Sequence, residues 1–136
     1  MINRFRFRGK RIGDRDWVHG ILVNNNKCHE RWLINVIGGG VYLVNEHTIS
    51  QHTGLKDKDK ADVFEGDILE DSHKNRRTVF AVPGGFAIEG SPDAFGYGYQ
   101  DGNNVFESIA DLQTKTWIED SCRVIGNIYD NKNLLK

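Results

Sequence analysis

The sequence predicts a mainly β fold: an antiparallel, SH3-like barrel core with additional N-terminal strands and at most one short helix. Three observations predict it. Short apolar runs alternate with turns rich in glycine, asparagine or aspartate, as they do in antiparallel β proteins. Glycine is in surplus, at 15 of 136 residues, where average usage would give about ten. Only one short stretch has the residues of a helix start.

The first predicted strand is basic on one face. Phe5 and Phe7 alternate with Arg4, Arg6 and Arg8. A period of two places the phenylalanines on one face and the arginines on the other. Further strands are predicted at 17–23, 32–37 and 41–44. A run of three glycines joins the last two as a hairpin.

The second half of the chain supplies the predicted barrel core. Residues 45–62 are mostly polar, and the alternating charges at 56–60 predict a surface loop. Strands are predicted at 63–69, 78–82, 86–89 and 123–129, and the first three have the spacing of a small SH3-like barrel. Residues 90–104 contain four glycines and predict a loop.

The single predicted helix lies near Ser108–Gln113. Ser108 is of the residue type that caps helix N-termini, and Asp111 would occupy the third helical position of a capping arrangement. The pattern continues for one or two turns, so the helix is expected to be short.

A chain of 136 residues has the length of one domain, and we predict a single domain over 1–136. Aligning the chain with itself at an offset of 46 residues places Gly20 on Gly66. The segments 17–44 and 63–90 then share one pattern of strand, polar loop, strand, glycine turn and strand. Two interpretations stay open: a weak internal duplication, or two unrelated hairpins that use glycine because it adopts positive φ without strain.

Composition argues against several classes of protein. No apolar run approaches the ~18 residues of a membrane span, and the basic start is not followed by the apolar region of a signal peptide. We therefore expect no membrane partner and a cytoplasmic location. The two cysteines, Cys28 and Cys122, are too few for a disulfide framework and are expected as free thiols in a reducing cytosol.

Charge is unevenly distributed along the chain. Residues 1–32 carry eight basic and three acidic side chains, whereas the rest of the chain carries ten basic and sixteen acidic ones. The basic end includes Arg4, Arg6, Arg8, Lys10 and Arg11. Such a segment can bind nucleic acid, but it can equally pair with acidic groups of the same chain or of a neighbouring subunit. Both interpretations stay open.

Aromatic residues alternate with glycine inside the predicted loop. Phe95, Tyr97 and Tyr99 are each separated by one glycine. Alternating aromatics can form a platform on which bases or sugars stack. They can also fix a loop onto its own domain or onto a neighbouring subunit, and this is the interpretation that we favour.

No catalytic or metal-binding pattern stands out. The sequence contains no nucleophile elbow, phosphate-binding loop or dinucleotide fingerprint, and its five histidines lack the spacing of a zinc site. Glu65 and Asp67 would share a strand face and could perform acid–base chemistry. However, Glu-Gly-Asp before an apolar pair is more typical of a turn in which Asp67 accepts backbone N–H groups. We therefore expect no enzyme, no cofactor and no metal site.

Several motifs follow one another in a recognisable order. They are Phe5–Arg11, Trp17–Gly20, Thr53–Lys58, Val63–Leu69 and Val124–Asn131, followed by Leu134 and Leu135. The series spans nearly the whole chain and resembles the YopX family of phage and prophage proteins. Two positions depart from that family: Lys60 stands where glycine is common in an Asn-Gly type of turn, and Lys132 stands where proline is common. These departures predict a turn that is more strained or differently shaped, and a less fixed tail.

The resemblance implies a mainly β fold, a location in the cytosol of a bacterial host and self-association, and it offers no catalytic residues. The function we expect is that of a phage- or prophage-encoded, non-enzymatic binding or assembly module acting as a homo-oligomer. The alternative is a nucleic-acid-binding accessory protein that uses the basic N-terminal strand, and a host or phage protein is a further candidate partner. The candidate binding residues are Arg4, Arg6, Arg8, Lys10, Arg11, Phe95, Tyr97 and Tyr99.

Overall fold

The computed structural model of the chain describes residues 6–25, 31–83, 85–90, 98–101 and 104–135. Within these ranges the protein consists of strands in two antiparallel sheets, one α-helix and two short 3₁₀ helices. The predicted class, mainly β and antiparallel with one short helix, is therefore confirmed.

Twelve strands account for most of the described residues. They are β1 (Phe7–Lys10), β2 (Trp17–Asn25), β3 (Arg31–Val36), β4 (Gly40–Leu43), β5 (Ser50–Lys56), β6 (Asp62–Phe64), β7 (Asp67–Glu70), β8 (Arg76–Val82), β9 (Gly85–Gly90), β10 (Gly98–Asp101), β11 (Asn104–Ser108) and β12 (Arg123–Asn127). The helix α1 spans Leu112–Ser121, and the 3₁₀ helices span Glu46–Thr48 and Lys132–Leu135. The first sheet has the order β4-β3-β2-β1-β5-β6, and the second has the order β10-β11-β9-β8-β7-β12.

The chain divides into two compact units, Met1–His52 and Thr53–Lys136, and strand β5 carries the chain from one to the next. The single domain stays a prediction, and so does the internal duplication. Both halves of the predicted repeat contain three consecutive antiparallel strands. However, Gly20 lies inside β2, whereas Gly66 has a φ of +87° and lies in the turn before β7.

The first unit is organised by the regular register of β1 to β4. Lys10 pairs with Trp17 across β1 and β2, and Asn35 of β3 pairs with Ile21 on one side and Val41 on the other. Directly paired residues on neighbouring strands share a face of the sheet. One face therefore carries Lys10, Trp17, Ile21, Asn35 and Val41.

The opposite face of the first unit is its core. Ile34 and Val44 are almost fully buried there. A Cβ on Gly9 would lie 3.1 Å from the Cβ of Val44, and a Cβ on Gly20 would overlap the carbonyl oxygen of Asn35. The two glycines therefore let backbone and side chains approach closely where a larger residue would not fit.

Backbone hydrogen bonds also join the end of β1 to the end of β4. Arg11 forms an isolated antiparallel bridge with Val44. The N–H of Asn45 donates to the carbonyl oxygen of Lys10 at 2.8 Å, and the N–H of Ile12 donates to that of Leu43 at 3.2 Å. The first and last strands of this four-stranded group are thus linked at one end.

The second unit has a core of aliphatic side chains from its sheet and helix. The buried cluster consists of Val63, Leu69, Val79, Ile88, Ile109, Ile118 and Cys122, with Trp117 packed against it. In the described strands the order runs from β10 to β12 without closing. The SH3-like barrel predicted for residues 63–89 is therefore not confirmed.

Several predicted boundaries were wrong. The run 63–69 is two strands, β6 and β7, separated by a turn, because Asp67 accepts the N–H of Phe64 at 2.8 Å and closes it. Strand β5 lies in the mostly polar stretch 45–62, where no strand was predicted, and β10 and β11 lie in or extend from the stretch predicted as a glycine loop. In each case backbone pairing with neighbouring strands outweighs the local composition.

The helix was predicted three residues too early. Asp111, not Ser108, is its N-cap, and the Asp111 carboxylate accepts the N–H of Gln113 at 3.1 Å. The Ser108 hydroxyl instead accepts the N–H of Ala110 at 3.1 Å in the turn before the helix. Serine and aspartate both favour hydrogen bonds to nearby backbone N–H groups, so residue type alone did not show that Asp111 and not Ser108 caps the helix.

Candidate functional site

The basic residues of the first strand are engaged with aromatic rings of the first unit. The guanidinium carbon of Arg8 lies 4.7 Å from the ring centroid of Trp17, and the Lys10 Nζ lies 5.7 Å from the same ring. Arg8 is only 8% exposed. Contacts of this kind contribute about 0.5–2 kcal/mol each, so these cations help to hold the β1–β2 hairpin together.

Arg11 lies apart from the other basic residues. Its guanidinium carbon is 4.4 Å from the ring centroid of Tyr42, and it forms an ion pair of 3.1 Å with Asp14. Tyr42 pairs with Ile34, so its side chain is on the core face, opposite to that of Trp17. The predicted basic surface is therefore divided between two faces of the sheet. Arg6 precedes β1, and Arg4 lies outside the described residues.

The predicted aromatic platform falls largely outside the described residues. Phe95 and Tyr97 are not among them, and Tyr99 lies in β10, where its backbone pairs with Phe106 of β11. The stacking function and the loop-fixing function of these aromatics therefore both stay predictions.

Two loops of the second unit, 57–61 and 71–75, each begin with an aspartate and share the same hydrogen-bond pattern. In the loop 57–61 the carboxylate of Asp57 accepts the N–H groups of Asp59 at 2.8 Å and Ala61 at 2.9 Å. In the loop 71–75 the carboxylate of Asp71 accepts the N–H groups of residues 73 and 75, both at 2.9 Å. Each loop is closed by a bond from the N–H of its first residue to the carbonyl oxygen of its fifth. The same local geometry thus occurs twice, fourteen residues apart.

The fourth residue of each of these two loops is a lysine in the left-handed backbone region. Lys60 has a φ of +69° and Lys74 a φ of +67°. L-residues adopt this region at a cost of about 1–2 kcal/mol. The structure therefore agrees with the expectation that a lysine at position 60 produces a strained turn.

The carboxylates of these loops are fully used by backbone and side-chain donors. Asp57 is 2% exposed, and its second oxygen accepts the N–H of Val124 at 2.9 Å. Burial alone would raise the pKa of Asp71, but donors from Asn75, His73 and Trp117 outweigh it, so this pKa lies below its usual value. The hydrogen bonds that these carboxylates accept hold the two loops in shape. The sequence analysis predicted a surface loop at 56–60, but not the hydrogen bonds that close either loop.

The carboxylate considered for acid–base chemistry is also structural. Asp67 is 1% exposed and holds the turn after β6 by accepting the N–H of Phe64. Glu65 lies within that turn and not on a continuous strand. Their predicted common strand face is therefore absent, and the turn interpretation of Glu-Gly-Asp is the one that the structure supports.

Other reactive groups are enclosed or dispersed. Burial raises the pKa of the Cys122 thiol to about 12, and Cys28 is not among the described residues. In the described part of the chain no cluster of three or more histidine, cysteine, aspartate or glutamate side chains could hold a metal ion. Within those same residues, none of the helices is both long and apolar enough to cross a membrane.

A mainly apolar, partly exposed surface covers three strands of the first unit, and we call it the β2–β4 face. Its six residues form two rows across the sheet: Ile21, Asn35 and Val41 in one, and Val23, Leu33 and Leu43 in the other. Ile21 is 52% exposed, Val23 41% and Val41 56%. The signal for it was present in the sequence, because residues 17–23 are mostly apolar on both faces of one strand. The sequence does not tell which face remains uncovered.

The glycine and asparagine residues near the C-terminus have structural roles. A Cβ on Gly126 would lie 2.5 Å from Oδ1 of Asn131, and a Cβ on Gly66 would lie 3.1 Å from the ring of Tyr129. The Oδ1 of Asn127 accepts the N–H of Tyr129 at 3.0 Å. This segment therefore encodes a packed chain reversal.

Comparison with known proteins agrees with the fold. The family model described as YopX protein matches residues 6–136. The crystal structure of protein EF1440 from Enterococcus faecalis is similar with a TM-score of 0.54 and 21% sequence identity, and the match covers 96% of this chain and 97% of that one. At this identity the likeness concerns the fold. No curated protein matches the chain.

Proposed function

The chain belongs to the YopX family, and from that premise we propose that it is a phage- or prophage-encoded, non-enzymatic binding or assembly module that acts as a homo-oligomer in the cytoplasm of a bacterial host. The observation that carries this proposal is the β2–β4 face. Contiguous exposed apolar surface in a water-soluble domain marks an interaction site.

The distribution of exposed aliphatic side chains supports the same proposal. Among the residues whose side chains are described, six large hydrophobic side chains are exposed: Ile12, Ile21, Val23, Ile37, Val41 and Leu112. Five of these belong to the first unit. Single exposed hydrophobics are ordinary, but three of these, Ile21, Val23 and Val41, lie together on one face of one sheet, which is typical of a surface that another protein covers.

A non-enzymatic role is supported by the use of the buried acidic groups. Asp57, Asp67 and Asp71 each accept backbone N–H groups at 2.8–2.9 Å. A general acid or base needs a carboxyl group that can reach a substrate proton. These carboxylates are committed to the turns that they close.

Nucleic-acid binding through the basic strand is the weaker candidate. Arg8 and Lys10 contact Trp17, and Arg11 contacts Tyr42 on the opposite face. Binding to phosphates would require these cations to leave their aromatic partners or to share them. Salt-sensitive retention on DNA or RNA that is lost on replacing Lys10 and Arg11 with glutamine would revive this candidate.

We also propose that the SH3-like small barrel belongs to the first unit and not to residues 63–89. The support for this is the set of backbone hydrogen bonds that links β1 to β4 at Lys10, Ile12 and Leu43. Strands β2 and β3 complete the circuit between them. Amide exchange gives the test: the Asn45 and Ile12 N–H groups should be protected, and rapid exchange at both would contradict closure.

The experiment for self-association compares two charge substitutions. Ile21→Asp places a carboxylate in the β2–β4 face, whereas Leu112→Asp places one on α1, where the side chain is 74% exposed. We expect Ile21→Asp to reduce the mass measured by light scattering and Leu112→Asp to leave it unchanged. Equal masses for the wild type and Ile21→Asp would reject the β2–β4 face as the contact.

A further inference from the structure

We propose that the first unit binds an acidic peptide segment of another protein, whose carboxylates lie beside Lys10 and His19 and whose aliphatic side chains cover Ile21, Val23 and Val41. This inference rests on the proposed role of the β2–β4 face as an interaction site, and it names the chemistry of the partner.

The β2–β4 face continues onto β1 as one surface. Arg8 pairs with His19, and Lys10 pairs with Trp17. Ile21 follows His19 by two positions along β2, so the two side chains lie on the same face of the strand. Directly paired residues also share a face. We call the combined surface, the β2–β4 face together with these four residues of β1 and β2, the β1–β4 face.

The charge of the β1–β4 face has one sign. Strands β1 to β4 contain no aspartate or glutamate. Among the described side chains of this face, Arg8 and Lys10 are cationic and His19 is the one other titratable group. Asp14 lies in the turn after β1 and is paired with Arg11. The electrostatic field at the β1 end of the face therefore favours an anionic partner.

The basic end of the face can contact a carboxylate without losing its internal packing. Lys10 is half-buried and His19 is exposed. The Lys10 Nζ lies 5.7 Å from the ring centroid of Trp17. An ammonium group has three donors, so it can remain over the ring while it donates to a carboxylate. Arg8 is only 8% exposed and contributes positive charge rather than a contact.

Aliphatic side chains follow directly along β2. Each residue of a strand adds about 3.3 Å, so Ile21 lies at most about 7 Å from His19 and about 13 Å from Trp17. Ile21 is 52% exposed, Val23 41% and Val41 56%. A complementary partner therefore presents carboxylates within about 7–13 Å of aliphatic side chains, a spacing that a single peptide segment provides.

Other occupants match only part of this surface. A second copy of the chain can cover the aliphatic rows, but its own β1–β4 strands bring no carboxylate to Lys10. A nucleic acid supplies phosphates, but Ile21, Val23 and Val41 offer no ring on which its bases could stack. An acidic segment with aliphatic residues matches both the charge and the apolar rows.

Fluorescence anisotropy with labelled synthetic peptides tests the proposal. The probe has the sequence Glu-Ser-Glu-Ser-Leu-Ser-Leu between glycines, which gives the required spacing of carboxylates and leucines. Two matched probes replace both glutamates with glutamine or both leucines with serine. At physiological salt we expect the first probe to bind, and each matched probe to bind about tenfold or more weakly.

Lys10→Gln and Arg11→Gln form a matched pair of protein variants. Each removes one positive charge, but the Arg11 side chain contacts Tyr42 on the opposite face. Lys10→Gln should weaken binding of the glutamate probe by about fivefold or more, whereas Arg11→Gln should bind it like the wild type. His19→Glu is a second variant at an exposed position, and it should weaken binding by a similar factor. Circular dichroism checks that each variant is folded.

The outcomes separate this inference from the proposed self-association. Binding of the glutamate probe that is weakened by Lys10→Gln and His19→Glu but not by Arg11→Gln supports the inference. No binding, or equal weakening by Lys10→Gln and Arg11→Gln, would overturn it. So would a labelled single-stranded oligonucleotide that binds with the same dependence on Lys10 when the peptide does not, because the partner would then be a nucleic acid.

Light scattering of the wild type and Ile21→Asp decides the self-association independently. A protein that self-associates but binds no probe loses only the present inference, and a monomeric protein that binds the probe loses only the self-association. Because a second copy would cover the same aliphatic rows, bound probe should also lower the mass of the oligomer. An oligomer that binds the probe with the expected dependence on Lys10 and keeps its mass would place the contact between copies elsewhere and leave the peptide site in place.

Discussion

Replacing Lys60 with glycine should stabilise this protein, because the lysine occupies a backbone conformation that glycine adopts without strain. Its φ is +69°, which costs an L-residue about 1–2 kcal/mol. Glycine also gives the unfolded chain more conformational freedom, and this offsets about 0.5–1 kcal/mol of the gain in stability. The net stabilisation is therefore expected to be about 0.5–1 kcal/mol.

The corresponding change in melting temperature can be estimated from chain length. Unfolding entropy is about 2.1 cal/mol/K per residue, or about 0.29 kcal/mol/K for a chain of 136 residues. The predicted rise in Tm for Lys60→Gly is thus about 2–3 °C. Differential scanning calorimetry resolves a shift of this size, and urea unfolding provides a second measurement of the free energy.

A lysine of the same loop provides the control. Lys58 is exposed like Lys60 but is not among the residues with positive φ. Lys58→Gly removes a lysine without relieving strain, so it should lower stability by about 0.5–1 kcal/mol. If Lys60→Gly lowers Tm as Lys58→Gly does, the left-handed conformation is not a source of strain and the reasoning fails. Lys74→Gly in the second loop should repeat the Lys60→Gly result.

Three further predictions concern individual residues of the second unit. The lowered pKa of Asp71 stabilises the folded state above the ordinary carboxyl pKa of 3.8, and this contribution is lost as pH falls through the folded-state pKa. Asp71→Asn should therefore be less stable than the wild type at pH 7, with the difference shrinking as the pH falls below 3.8; a difference in urea unfolding that stays constant with pH would contradict this. Gly126→Ala should cost about 1–3 kcal/mol, because its Cβ would press on Asn131, and an unchanged Tm would be inconsistent with that packing. Cys122 should react with a thiol reagent only after unfolding, since its pKa is raised to about 12; rapid labelling of a Cys28→Ser protein in the native state would refute this.

The strands that could be predicted from sequence are those with uninterrupted apolar runs. The runs at 32–37 and 78–82 correspond to β3 and β8 within a few residues. Strand β5 was missed because its buried side chains are polar: Ser50 and His52 are both 0% exposed. Polar residues of this kind are placed in a sheet by tertiary contacts, which local composition does not register.

The surface that carries the proposed function was harder to predict than the fold. Alternation correctly placed Phe7 and Arg8 on opposite faces of β1, but it does not indicate which face the rest of the protein covers. The alternation of arginine and phenylalanine likewise gave no indication that Arg8 would be buried beside Trp17 or that the Arg11 guanidinium would contact the Tyr42 ring. The lysine at position 60 was the one local departure whose structural consequence the sequence indicated.

Sedimentation velocity over a wide range of protein concentration tests the central claim most directly. The chain has a mass of 15.5 kDa. The mass obtained from sedimentation of a homo-oligomeric module should be a multiple of this value. Val41→Lys should shift the distribution of sedimentation coefficients towards that of the single chain. A wild-type protein that sediments only as a 15.5 kDa species, even at the highest concentrations reached, would contradict the account.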